Sequence, residues 1–317
     1  MGDDRTRYVV RRLLWFPVFL LIVTSMIFYI GRAGPGNEAL VMVHPSASEE
    51  NIEKMTHDLG LDKPLILQHI DYWKNFPGES WVRPGRKVMD LIAERIPVSA
   101  PLAISTFILI MAIGIPVGLI ATLKRGTWVD NTLMGTFLFF SSIHSVILVQ
   151  FLIFILSLKL HLFPAKWSGG WESIFTSQAI IPLLALSLPG IVGVARLVRT
   201  MTLRVLDEKY VTFARAMGLP PLVIATQYIL RNALLPLATV VILSLSTIVF
   251  AGAFFTETLY GIPGMGQFMV QSLFQRDHNV IMAIMMMIAA LFVIGNLIDD
   301  LSKRWIDPRI EITRQKT

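Results

Sequence analysis

Residues Pro97–Leu123 read PVSAPLAISTFILIMAIGIPVGLIATL, with Glu94 and Arg95 just before them and Lys124 and Arg125 just after. No charged side chain interrupts the run, and it exceeds the roughly 20 apolar residues that cross about 30 Å of hydrocarbon. Working outward, five more stretches have the same character: Leu13–Ile30, Leu133–Leu158, Gln178–Val198, Ala233–Thr256 and Val280–Leu301. None carries Asp, Glu, Lys or Arg near its middle; Arg196, Asp299 and Asp300 lie near ends. Lipid offers no hydrogen bonds to exposed peptide groups, so each run is read as a helix. The runs are too long, and alternate too little in polarity, to be barrel strands. The expected fold class is an all-α membrane protein with about six transmembrane helices.

Composition agrees. Of the 317 residues, 54% are hydrophobic and only 16% charged, and the mean hydropathy is +0.62. A soluble domain carries about 25% charged residues. The net charge of +6 is spread between apolar runs and forms no patch interleaved with aromatics, which argues against nucleic-acid binding. With no cysteine, disulfides, thiolate metal sites and cysteine nucleophiles are excluded. Arg5, Arg7, Arg11 and Arg12 precede Leu13–Ile30, which is longer than a signal-peptide core, so a retained first helix is expected.

Orientation follows from Lys and Arg. With the N-terminus inside, 17 basic residues fall on the cytoplasmic side and only 3 (Lys159, Lys166 and Arg276) in the two short outer loops. Both termini are therefore expected in the cytoplasm. The segments are then 1–30, the cytoplasmic N-terminus and first span; 31–95, an outer cap; 96–301, the transmembrane core; and 302–317, a cytoplasmic tail. Loop 31–95 is too long for a mere connection. Ser48 can cap a helix carrying Glu49 and Glu50 in its first turn, with Gly60 just past its end. Pro64 suits the first turn of another, with Ile66, Ile70 and Trp73 at i, i+4, i+7. A third short stretch places Val88, Leu91, Ile92 and Arg95 before the second span.

Enzyme signatures are missing. The chain has no G-x-x-x-x-G-K-[ST] phosphate loop, no H-E-x-x-H and no G-x-S-x-G. Asp299 and Asp300 are neighbours in sequence and diverge by about 100° on a helix, so they cannot share a substrate. The six histidines (44, 57, 69, 144, 161 and 278) show no metal-ligand spacing, and the Met282–Met287 run reads as flexible packing. No metal site, no cofactor and no catalytic residue is expected in this chain. An ion-coupled secondary carrier would need a mid-span charge, and an intramembrane enzyme a nucleophile or metal constellation.

The cytoplasmic loop 199–232 is more informative. Asp207 can cap a helix Glu208–Met217, Gly218 can end it in a left-handed conformation, and Pro220–Pro221 block continuation. Tyr210, Ala214 and Met217 share one face. So short a helix needs a partner surface. In the third span, Ser141, Ser142, His144, Ser145 and Gln150 cluster; they suit either contacts between helices or a pathway lining. Gly114 and Gly118 make a small-residue face for close packing. Glu257–Gly266 has the Gly/Pro spacing of an outer loop or turn.

The stretch Glu208-Lys-Tyr-Val-Thr-Phe-Ala-Arg-Ala-Met-Gly-Leu219, followed by Leu230-Arg-Asn-Ala-Leu-Leu-Pro236, resembles the signature loop of bacterial ABC-importer permeases. More narrowly, the chain is similar to the B-type subunit of the dipeptide/oligopeptide/nickel branch. Further matches run along nearly the whole chain in order: Leu59-Gly-Leu-Asp-Lys-Pro64 with Gln68 and Trp73, Gly114-Ile-Pro-Val-Gly118, Leu183-Leu-Ala-Leu186, Glu257-Thr-Leu-Tyr-Gly-Ile-Pro-Gly-Met-Gly266 and Asp307-Pro-Arg309. Two departures stand out. The wider signature begins Glu-Ala-Ala where this chain has Thr212, Phe213 and Ala214, and His144 occupies a position that often looks proline-like.

The resemblance implies an ABC type I importer permease fold in the bacterial inner membrane. It implies a second homologous permease subunit, two ATP-binding-cassette ATPases holding ATP and Mg, and an extracytoplasmic substrate-binding protein that lands on the cap. It makes Tyr210, Ala214, Arg215, Ala216, Met217 and Gly218 the contact with the ATPase. It places Ser141, His144, Ser145, Gln150, Glu257 and Gly264 along the translocation pathway. The implied cargo is a short peptide, with nickel or a metal chelate as the alternative inside the family and a stand-alone secondary carrier outside it.

Overall fold

A computed structural model of the chain describes residues 2–32, 48–206, 208–220, 223–230 and 253–306. Among these, helices account for the regular structure apart from one isolated bridge between Glu79 and Lys87. The elements are α1 (Gly2–Arg32), α2 (Glu49–Asp58), α3 (Leu65–Asn75), α4 (Val88–Leu123), α5 (Trp128–Ser142), α6 (Ser145–Leu152), α7 (Ile180–Leu206), α8 (Lys209–Ala216), α9 (Phe254–Tyr260), α10 (Met265–Phe274) and α11 (His278–Ile306). Wide π turns follow α6 at Ile153–Lys159 and follow α8 at Ile224–Leu230.

Among the described residues, four helical stretches are long and apolar enough to cross a membrane: Leu14–Arg32, Val88–Leu123, Ser177–Leu206 and His278–Ile298. The expected third span, Leu133–Leu158, is not one straight helix. It breaks at Ile143–His144, and the pieces Trp128–Phe140 and Ser145–Lys159 meet at 101°. Ile143 and His144 both take extended backbone angles there, which ends the α5 ladder and starts α6 afresh. The expected span Ala233–Thr256 lies almost wholly outside the described residues, as do Asp207, the Arg231–Pro236 part of the signature and Asp307–Arg309. The side chains of Asp299 and Asp300 lie outside them too.

The chain divides into two compact units. The first comprises Met1–Pro97 with Pro263–Val293. Its cap helices form where the sequence signals them: Ser48 precedes α2, and Pro64, at its φ of −52°, precedes α3. The third stretch is not separate, because Val88, Leu91 and Ile92 begin α4 itself and are buried. Aromatic rings fasten α3 to the end of α1, with Phe28 4.9 Å from His69 and 6.2 Å from Tyr72. Gln68 donates its amide to the carbonyls of Leu61 and Lys63 at 3.0 and 2.7 Å, closing the turn between α2 and α3. The buried carboxylate of Asp277 accepts from the Ser80 hydroxyl and from the backbone N–H of Trp81 at 3.2 Å, so the irregular 77–87 segment keeps a defined course. The methionine run packs inward, with Met282 and Met286 buried.

The second unit comprises Val98–Ile262 with Ile294–Thr317. Close helix packing organises it. A methyl group built on Gly118 would lie 2.5 Å from the Ala195 carbonyl oxygen, and one on Gly114 would lie 3.0 Å from Val194 Cβ. These glycines let α4 press against α7, where Thr122 and Thr202 share a buried hydroxyl hydrogen bond of 2.5 Å. Ile110, Ile191, Val194 and Val198 fill the seam above it.

Candidate functional site

The helix expected at Glu208–Met217 is α8, one residue shorter at each end, with Glu208 as its N-cap and Met217 as its C-cap. Gly218 takes φ +72°. The N–H of Leu219 donates to the Ala214 carbonyl at 3.3 Å, and that of Gly218 to the Arg215 carbonyl at 2.9 Å. This pair of bonds defines a glycine-terminated helix end, and a left-handed residue is required to make it. Leu219 then folds back into an apolar cluster with Val211, Ala214, Ile224 and Ile229. One face of α8 is therefore spent inside the unit.

Here the expected contact face divides. Ala214 is buried at 1% exposure, whereas Tyr210, Phe213 and Met217 are 39%, 66% and 62% exposed. The outward stripe is Tyr210–Phe213–Met217, spaced i, i+3, i+7, with Ala214 as its floor. Phe213 was missed because an i, i+4, i+7 count through Ala214 fits the sequence equally well; only the burial of Val211 settles the helix rotation. Arg215 and Ala216 are exposed on the last turn.

Behind α8, Arg199 on α7 makes a two-pronged ion pair with Asp130 on α5, at 2.9 and 2.8 Å. Asp130 is buried and also accepts from the Gly126 N–H at 3.1 Å. A fork-to-carboxylate pair of this kind is geometrically specific, so it holds the loop Lys124–Thr127 against the helix that leads into α8. No sequence spacing announces it, since the partners stand 69 residues apart.

The proposed pathway residues do not form one group. Ser141 lies in α5, its side chain outside the described residues. His144 caps α6, its Nδ1 accepting from the Val146 N–H at 3.4 Å, and its ring stands 6.4 Å from Phe255. Ser145 opens α6, and Gln150 is exposed further along it. Glu257 differs from the expected outer loop: it belongs to α9, is fully buried, and accepts from Ser99 Oγ at 2.6 Å. The turn begins only at Gly261, where the Ile262 N–H returns to the Glu257 carbonyl at 2.8 Å. Tyr260 anchors this end by donating to the Pro164 carbonyl and accepting from the Trp167 N–H. Gly264 is the N-cap of α10. Among the described residues no group of His, Cys, Asp and Glu could hold a metal ion.

A short glycine-ended helix thus closes on its own core and leaves an aromatic stripe outward in a chain of apolar spans. Residues 114–312 match the family described as binding-protein-dependent transport system inner membrane component, and residues 5–103 match that family's N-terminal region. The chain belongs to this family. It is a transport subunit of the ABC importer permease class, not an enzyme, and a multi-pass inner-membrane protein. The permease is 33% identical to the oligopeptide transport system permease protein AppB of Bacillus subtilis, over 96% of this chain and 99% of that one. It is 31% identical to the dipeptide permease protein DppB of the same organism, over 98% and 99%. It is 32% identical to the oligopeptide permease protein OppB of Escherichia coli K12, over 96% and 99%. Among solved structures it resembles a chain of the inward-facing MetNI methionine ABC transporter, with a TM-score of 0.57 and 20% identity, covering 69% of this chain and 97% of that one. That likeness fixes the ABC type I importer permease fold for the permease.

Proposed function

We propose that the permease forms one half of a pathway for uptake of short peptides, paired with a second homologous permease. Two ATPase subunits, holding ATP and Mg, sit against its cytoplasmic face, and an extracytoplasmic binding protein delivers cargo to the cap at residues 48–95. The full-length likeness to oligopeptide and dipeptide permeases supports peptide cargo over nickel.

The single observation that carries the coupling role is the split of α8 into a buried face and an exposed Tyr210–Phe213–Met217 stripe. An aromatic and aliphatic stripe on a short rigid helix is the form that docks in a groove on another protein. Its buried side transmits force: Val211 and Ala214 pack on Val205 and Leu206 at the end of α7, so a push on α8 moves that helix. ATP-driven closure of the two ATPases then becomes motion of membrane helices, which alternates access to the pathway. His144, Ser145 and Gln150, at and after the break between α5 and α6, are the polar groups we assign to the pathway wall.

The test is co-purification in mild detergent followed by an ATPase assay. The reading predicts that a second membrane subunit and ATPases come along, and that a peptide-loaded binding protein raises hydrolysis. A chain that purifies alone and brings no ATPase contradicts it.

A further inference from the structure

In the first unit, two arginines converge on one ring. The guanidinium carbons of Arg83 and Arg95 lie 5.3 and 5.4 Å from the centroid of Phe268, which is itself buried on α10. Phe268 and the backbone hold both cations: Arg95 Nη1 donates weakly to the Pro263 carbonyl at 3.5 Å, and the Arg83 N–H donates to Ser80 Oγ at 3.0 Å. Neither arginine forms an ion pair among the described residues, although Arg86 pairs with Glu94 close by. Arg83 Nη1 and Arg95 Nε are shut off from solvent and have no acceptor.

Two half-buried positive charges sharing one aromatic ring repel each other, and each buried N–H left without an acceptor is destabilising. Attraction to a single phenyl ring offsets only part of this. The arrangement is therefore incomplete without an anion. The planar guanidinium fork matches a carboxylate, donating two parallel hydrogen bonds to it.

We propose that Arg83, Arg95 and Phe268 form a binding site for the C-terminal carboxylate of the imported peptide. This rests on the peptide-uptake reading above. Every linear peptide ends in that group whatever its sequence, so one site serves mixed cargo. Phe268, buried between them, sets the two forks apart.

The experiment uses the whole transporter in proteoliposomes, with its binding protein. It compares uptake of a tripeptide bearing a free C-terminus with uptake of the same tripeptide amidated. Wild type is expected to favour the free acid. In Arg83→Gln and Arg95→Gln the ratio of kcat/KM for free over amidated peptide should fall about tenfold. Arg95→Lys, which keeps the charge and loses the fork, should fall less and keeps the test open if a glutamine variant fails to assemble. The binding protein is unaltered, so its own preference cancels in the comparison. An equal loss for both peptides overturns the proposal and points to an acidic side chain of the binding protein as the anion. An unchanged ratio overturns it as well. A wild-type assembly that takes up neither peptide rejects instead the peptide-uptake reading on which the site rests.

Discussion

Single residues decide how close the helices come. Gly118 is the clearest case, because its missing side chain is filled by the Ala195 carbonyl and Val198. Gly118→Ala forces α4 and α7 apart; overpacking of this kind costs about 1–3 kcal/mol. Thermal unfolding in detergent should show a lower midpoint, whereas Gly135→Ala, which meets open space, should not. His69 makes a second residue-level prediction. Its Nε2 accepts from the Trp73 indole N–H at 3.1 Å, and an indole can only donate, so the ring is neutral. Burial lowers its pKa from the ordinary value near 6.5. The folded cap thus binds this proton less readily than the unfolded chain. Its contribution to stability is present above the unfolded value and is lost as pH falls below about 6.5. Limited proteolysis of the cap should quicken between pH 7.5 and pH 5 in wild type, with a smaller change in His69→Gln. The glycine pairing of the α4–α7 seam was legible in the sequence, because Gly114 and Gly118 stand one turn apart in an apolar run. The Asp130–Arg199 and Ser99–Glu257 contacts were not, since partners distant in sequence leave no periodic trace.

At the scale of elements, α8 turns on its stripe and its glycine end. The helix, its terminating glycine and its length could be read directly, because capping and turn chemistry are local. Its rotation could not, because that depends on which side of α8 finds the end of α7. The same limit explains the break at Ile143–His144: composition makes Leu133–Leu158 one apolar run, and only the backbone shows two pieces. The chain has no cysteine, so single replacements report cleanly. Phe213→Cys should cross-link to a cysteine placed in the ATPase groove, and Ala214→Cys, on the buried face, should not. Phe213→Asp should weaken ATPase association about tenfold or more, the order expected when an aromatic anchor is lost from an interface. Gly218→Val should uncouple hydrolysis from uptake, since a β-branched residue resists a φ of +72°. Unchanged coupled uptake in that variant would contradict the role given to α8.

At the scale of the molecule, the apolar spans, the helices α2 and α3 and the proposed coupling helix α8 belong to a transport subunit of a class that keeps its ATP chemistry on other chains. The membrane class was legible from charge-free runs, since hydrocarbon imposes the same demand on every span. Peptide cargo was implied only by the family resemblance, which the likeness to oligopeptide and dipeptide permeases supports, and not by the composition or spacing of the spans. Uptake of a labelled tripeptide into proteoliposomes containing the permease pair, ATPases and binding protein, with nucleotide supplied on the α8 side, tests the central claim most directly. The account predicts accumulation with ATP, none with a non-hydrolysable analogue, and none with the permease alone. Equilibration of the peptide by the isolated permease without ATP would contradict it.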